Sequence, residues 1–219
     1  MNSSSVFEVV SLREQVERTL SSRIVTGEFA AGTVLTVPTL AGEFGVSATP
    51  VREAMLNLAR RGFLTPIRNR GFRVTEVSPD ELAALGEVRV LLEAPPMRWL
   101  AGHLSEPVVE QLMVFADRIV DAAEQARFED YLAADTDFHL TLLEQTGNTH
   151  LVRLVRELRQ QTRLVGLVSL AESDALVSTS LEHAELIALL VAGRGEDAEQ
   201  LMHRHIGHIT GLWSGRPEA

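Results

Sequence analysis

The sequence predicts a mainly α-helical chain in two parts: a small N-terminal head built from helices and one hairpin, and a larger body of six antiparallel helices. Three observations predict it. Apolar residues recur at helical spacing along most of the chain, one stretch near residues 63–77 is β-prone instead, and Ser78-Pro79-Asp80 punctuates the boundary. Of the 219 residues, 45% are hydrophobic, enough for a core in each part.

Taken in order, Val10 to Thr26 carries Leu12, Val16, Leu20 and Ile24 four residues apart and reads as a helix ended by Gly27. Ala31-Gly32 is a turn. A brief helix from Leu40 to Phe44 closes on Gly45, which suits a left-handed C-cap. Thr49 then reads as an N-cap and Pro50 as the first residue of a second helix, where its missing N–H costs nothing. Val51, Ala54, Met55, Leu56 and Leu58 are expected toward a core; Arg52, Asn57, Arg60 and Arg61 are expected outward. Two helices joined by a glycine turn, the second with an Arg-bearing polar face, make a helix-turn-helix pattern. Phe63–Arg68 and Gly71–Val77 flank Asn69-Arg70-Gly71 as the arms of a hairpin. A hairpin after a reading helix is a wing, and Arg68, Arg70 and Arg73 would lie near the minor groove or phosphates.

Ser78 as N-cap, Pro79 in the first turn, and Asp80 and Glu81 at the positive end of the helix open the body. The head thus spans 8–77 and the body 78–214. Helices are expected at 79–102, 106–126, 128–146, 148–170, 174–192 and 195–213, with Pro95-Pro96 interrupting or kinking the first.

The formal net charge is −10, unevenly spread. Residues 1–78 hold nine arginines against seven acids; residues 79–219 hold eleven against twenty-three. An acidic body with a mildly basic head fits a protein that meets phosphate with its head alone. There is no cysteine, so disulfides are excluded. The N-terminus lacks a signal-peptide layout, and no apolar run approaches the roughly 20 residues that span a bilayer, so a cytoplasmic protein without membrane contact is expected.

Asp135 and His139 stand four residues apart and share a helix face, while His183 and His205 fall on two later helices. One carboxylate and three imidazoles from three helices of a bundle can converge on a divalent ion such as Zn²⁺ or Ni²⁺ and leave positions open for a ligand oxygen. An isolated histidine on an amphipathic helix is more often an ordinary surface or capped residue. That reading is kept for His203 and His208 as solvated side chains, and for His103 and His150 at helix boundaries.

The string LTVPTLAGEFGVSATPVREAMLNLARRGFLTPIRNRGFRVTEV resembles the winged-helix head of GntR-family transcription regulators, its VSxTPVREAxxxLxxxGxL core and GFxV wing being the specific parts. The body resembles the FCD ligand-sensing domain of the FadR subgroup, through EVRVLLE, DTDFH, TGNTHL, the Glu182-His183 pair and His203-Arg204-His205. The resemblance runs from about Leu12 to Ile209, and six body helices point to the shorter, VanR-like branch. It implies a reading set of Ala48, Thr49, Val51 and Arg52 on the second helix, with Arg68, Arg70 and Gly71 on the wing. Ala48 and Pro38 stand where members often carry Arg, whereas Arg52 is retained. Since Arg to guanine is the commonest specific base contact, a different operator sequence is expected.

Metal-binding members use an Asp-x-x-x-His pair and two later histidines, so the resemblance implies Asp135, His139, His183 and His205 as ligands. It also implies Arg89 facing an effector cavity, as a planar fork for a small carboxylate. An i, i+4 pair with Glu93 is the competing use of that arginine. The function so implied is a ligand-responsive regulator, acting mostly as a repressor: a homodimer on a palindromic operator of double-stranded DNA. The alternatives are a DNA-binding dimer with a purely structural metal, and a metalloenzyme. Against the enzyme, the sequence offers no paired general base and no nucleophile motif, so no catalytic residue is assigned.

Overall fold

The computed structural model describes residues 11–162 and 175–208, and the chain divides into two compact units, Met1–Thr75 and Glu76–Ala219. In the first, α1 (Leu12–Val25) opens on a capping box. Ser11 accepts from the Glu14 N–H, and the Glu14 side chain accepts from the Ser11 N–H. Leu12 is exposed, while Val16, Leu20 and Ile24 are buried. Helices α2 (Val37–Phe44) and α3 (Ala48–Arg60) follow, and α3 packs on both α1 and α2.

Two boundaries differ from expectation. Helix α2 begins three residues earlier, because Thr36 caps it and Pro38 fits its first turn. Helix α3 is preceded by Ser47 as N-cap, so Thr49 is its second residue and Pro50 its third. None of the first four N–H groups of a helix has an intrahelical partner, so a proline is as harmless there as at the first position. Gly45 does end α2 in the left-handed conformation, at φ 65°. Val51, Ala54, Met55 and Leu58 are fully buried; Leu56 instead is 45% exposed.

Strands β2 (Leu64–Ile67) and β3 (Gly71–Val74) form the hairpin, with Ile67 opposite Gly71 and Leu64 opposite Val74. A third strand, β1 (Val34–Leu35), joins antiparallel to β3, giving the order β1-β3-β2. Gly71 is required there. Its φ is 115°, and a Cβ would stand 2.3 Å from the Leu35 carbonyl oxygen.

The second unit holds, among the described residues, α4 (Pro79–Leu100), α5 (Glu106–Glu124), α6 (Phe128–Glu144), α7 (Thr149–Thr162), α8 (Ala175–Val191) and α9 (Gly195–Gly207). The expected helical segments 163–170 and 209–213 lie outside the described residues. Ser78 caps α4 by accepting from the Glu81 N–H, and Asn148 caps α7 by accepting from the His150 and Leu151 N–H groups. The expected interruption at Pro95-Pro96 does not occur: α4 is one helix through both prolines. Tertiary packing there overrides propensity, with Ala94 and Met97 buried on either side of the pair.

Helix α4 packs against α7 and α9, α5 against α6 and α8, α6 against α7, and α8 against α9. Gly195 permits the α4–α9 approach, since a Cβ on it would lie 2.7 Å from the Arg98 carbonyl oxygen. Met97, Leu112, Ile119, Phe138, Val155 and Leu190 are buried in the middle. Among the described residues no helix is long and apolar enough to cross a membrane.

Candidate metal centre and reading head

Four side chains that the sequence distributes over three helices meet inside the second unit. One donor atom each from Asp135 and His139 on α6, His183 on α8 and His205 on α9 lies within 4.8 Å of every other. His183 Nε2 is 3.4 Å and His139 Nε2 is 3.6 Å from Asp135 Oδ1. Those separations exceed a hydrogen bond. Donors placed about 2.0–2.2 Å from a shared ion stand roughly 3–3.5 Å apart, so the spacing fits coordination better than direct pairing.

The other ring nitrogens are anchored. His183 Nδ1 is 2.9 Å from the Ser180 carbonyl oxygen, one helical turn back, and His205 Nδ1 is 2.8 Å from Glu182 Oε2. Each contact leaves the far nitrogen for the centre. Both nitrogens of His139 and Nε2 of His183 are buried without a hydrogen-bond partner. Native structures seldom leave buried polar atoms so, and a cation would satisfy them. The residues present therefore fit a divalent ion.

Electrostatics keep the donors in their ligating forms. Burial holds the His139 imidazole well below its ordinary pKa, reinforced by the Arg159 guanidinium and opposed by Asp135. Burial likewise pushes His205 down to about 4, against the pull of Glu182. Both rings are thus neutral near pH 7, with a lone pair to offer. Burial alone would raise the Asp135 carboxyl; Arg159, His139 and His183 outweigh it and hold it well below the usual carboxylate range.

Arg159 was not foreseen. It is 3% exposed, with Nη2 3.3 Å from Asp135 Oδ2 and Nη1 3.5 Å from Glu93 Oε2. It occupies the buried stripe Val152, Val155, Arg159 and Thr162 of α7, where a charged residue at an apolar position was the available signal. Arg89 does pair with Glu93, Nε to Oε1 at 2.6 Å, and its Nη1 donates to Thr162. It nonetheless lines a small polar cleft together with Tyr131, Asp135, Arg159, His205 and His208. The expectation of a solvated His208 is corrected: it is buried, and its Nε2 is 3.1 Å from Glu182 Oε1, because it shares a face with His205. His203 is exposed, and His103 Nδ1 contacts the Ala101 carbonyl.

The family model of the FCD domain matches residues 84–208, and that described as bacterial regulatory proteins, gntR family, matches 12–74. The chain belongs to the GntR family, in its FCD-bearing form. It is 25% identical to the Nta operon transcriptional regulator of Aminobacter aminovorans, over 87% of this chain and 94% of that one. It is 26% identical to the HTH-type transcriptional repressor RspR of Escherichia coli K12, over 91% and 87%. The solved structure of E. coli McbR/YncC superposes with a TM-score of 0.63 at 25% identity, covering 90% of this chain and 94% of that one. These relatives and domains are those of transcription regulators, not enzymes.

GntR regulators bind DNA. In the head of this member, Ala48, Thr49 and Arg52 are exposed at the start of α3, and Arg68 and Arg70 are exposed around the wing turn. Val51, placed in the reading set by resemblance, is 0% exposed; it faces the core and has no surface to present to a duplex. Gly71 serves the wing through its backbone conformation. Asn57 and Arg61 turn back to Glu17 of α1, at 3.1 and 2.8 Å. Arg23 is occupied by Glu28 and Glu43. Arg52, Arg68, Arg70 and Arg73 carry no ion pair among the described residues and remain available to phosphate.

Proposed function

We propose that this GntR regulator senses a small organic acid at a divalent cation held by Asp135, His139, His183 and His205, Zn²⁺ or Ni²⁺ being the ions such donors suit. Residues 78–214 bind the effector and form a homodimer; residues 8–77 supply two heads for a palindromic operator. The cation supplies a Lewis-acidic point for one effector oxygen, and Arg89 provides the fork for a carboxylate. Ala48, Thr49 and Arg52 meet base edges, while Arg68 and Arg70 position the wing on the backbone. Effector binding shifts the population of head arrangements and so releases or secures the operator; release, hence repression, is our reading. Such a protein works in the cytoplasm, beside the DNA.

The observation carrying this reading is the convergence of four donor atoms within 4.8 Å, with buried imidazole nitrogens left unpartnered. A gel shift on DNA upstream of the gene tests it, run on metal-loaded protein with and without a panel of organic acids. One acid is expected to change operator affinity in the metal-loaded form only. Operator binding indifferent to every acid and to metal removal would leave the cation a structural role.

A further inference from the structure

Two consecutive arginines at the end of α3 are held in opposite ways. Arg60 stands in the last turn and Arg61 is the C-cap, so their side chains leave the axis about 100° apart. Thr49, Glu53, Leu56 and Arg60 are all exposed and stand four, three and four residues apart, so they line one face. The buried Val51, Ala54, Met55 and Leu58 form the face opposite. Arg61 turns aside toward α1. Its Nη1 donates to Glu17 Oε1 at 2.8 Å, and its guanidinium lies 5.3 Å from the centre of the buried Phe63 ring, a cation–π contact that adds to the ion pair. The Glu17 side chain is 13% exposed, and its second oxygen, Oε2, accepts from Asn57 Nδ2 at 3.1 Å. That bond turns the amide so that Asn57 Oδ1 is left as acceptor, and it takes a hydrogen bond from Arg60 Nη2. One carboxylate of α1 thus holds Arg61 directly and Arg60 through Asn57.

We propose that Arg60 is a further DNA contact, made to phosphate, and that Glu17 is a positioning residue that steadies Arg60 while withholding Arg61 from the duplex. This rests on the reading above, in which α3 enters the groove. Arg60 carries no ion pair among the described residues, and its bond to Asn57 uses one of five N–H donors, leaving the rest for a phosphate oxygen. An exposed arginine samples many rotamers, and holding one beforehand lowers the entropy lost on binding. Arg61 has the same charge, yet Glu17 and Phe63 occupy it. A phosphate contact carries no sequence information, so withholding one limits affinity for random duplex and leaves the base contacts proposed for Thr49 and Arg52 untouched.

The test is the salt dependence of DNA binding by the full chain, followed by fluorescence anisotropy. The probes are a labelled random-sequence duplex and the upstream duplex that the protein shifts in a gel. The slope of log affinity against log salt counts the phosphates neutralised. R60Q is expected to flatten that slope by about one per bound head, equally on both duplexes, and R61Q to leave it unchanged. E17A frees Arg61 and is expected to steepen the slope by about the same amount, with E17A/R61Q returning it to the wild-type value. An R60Q slope equal to that of wild type, or an R61Q slope that flattens as far, overturns the assignment of Arg60. An E17A slope that stays put while Tm falls gives Glu17 a structural role alone and overturns the withholding of Arg61. Should E17A not fold, E17Q, which keeps the side chain's length without its charge, is read in the same way. R52A separates this inference from the reading beneath it: unchanged affinity for the upstream duplex sinks the base contact of Arg52, whatever R60Q does. A wild type that binds neither duplex overturns both.

Discussion

Glu182 shows how one side chain disciplines the centre without touching it. Its carboxylate holds His205 Nδ1 with one oxygen and His208 Nε2 with the other. Burial would raise its pKa, but those two imidazoles bring it below the usual carboxylate range, so it acts as an acceptor. A carboxylate in this position fixes ring orientation and makes the imidazole a better donor. E182Q is therefore expected to weaken Zn²⁺ affinity about 10–100-fold with the fold intact, as competition with a chromophoric chelator would measure. An unchanged affinity would mean that His205 does not need its partner. Protonation gives a second expectation. Between about 4 and its ordinary 6.5, His205 holds more protons unfolded than folded, and His139 is depressed in the same direction. Stability rises with pH wherever the unfolded chain binds more protons, so metal-free protein should lose stability as pH falls below about 6.5, by up to roughly 1.4 kcal/mol per pH unit for each ring. Thermal melts at pH 7 and pH 5 check this; an equal Tm at both contradicts it. Of these residues, Asp135 and His139 were legible from their spacing of four, whereas His183 and His205 needed the family resemblance to be tied to them. Arg159 went unseen because a charged residue among apolar ones reads as surface until packing is known, and His208 because solvation is the commoner fate of a histidine.

At the scale of elements, periodicity did well where a helix is long and badly where an element is short or irregular. Helices α5 to α9 begin within one residue of expectation, since glycines, prolines and caps mark them. Strand β1, two residues long, carries no periodicity at all, and it is what Gly71 exists to meet. Gly71→Ala places a methyl against the Leu35 carbonyl at a φ that L-residues rarely adopt. It should destabilise the head by about 1–3 kcal/mol and weaken operator binding, with the metal content of the body unchanged. A head that melts as wild type would show that β1 and β3 can separate at no cost. On α3 the exposed and buried faces separate cleanly: Arg52 is outward with no ion pair among the described residues, while Val51 is core. Arg52→Ala should cost about 1–3 kcal/mol of operator affinity with no change in Tm, as a gel shift and a melt on the same preparation would register. Lost stability without lost affinity would reverse those roles.

For the whole molecule, the two units divide the chemistry as they divide the charge. Among the described residues the head keeps arginines without an ion pair at α3 and the wing, whereas the acidic body buries its two central arginines with Glu93 and Asp135. The charges of the buried cluster are thus withdrawn from solvent, and the arginines proposed to meet DNA are not. Regulation requires the first group to influence the second, and only a ligand with different affinity for two head arrangements can do so. Every further step presupposes that the buried cluster binds a cation. The most direct measurement is the metal content of the purified full chain after incubation with Zn²⁺ and desalting, beside His139→Ala treated identically. The account predicts one ion per wild-type chain and a large loss in the variant; a wild type without metal, or a variant that keeps its full complement, would contradict it.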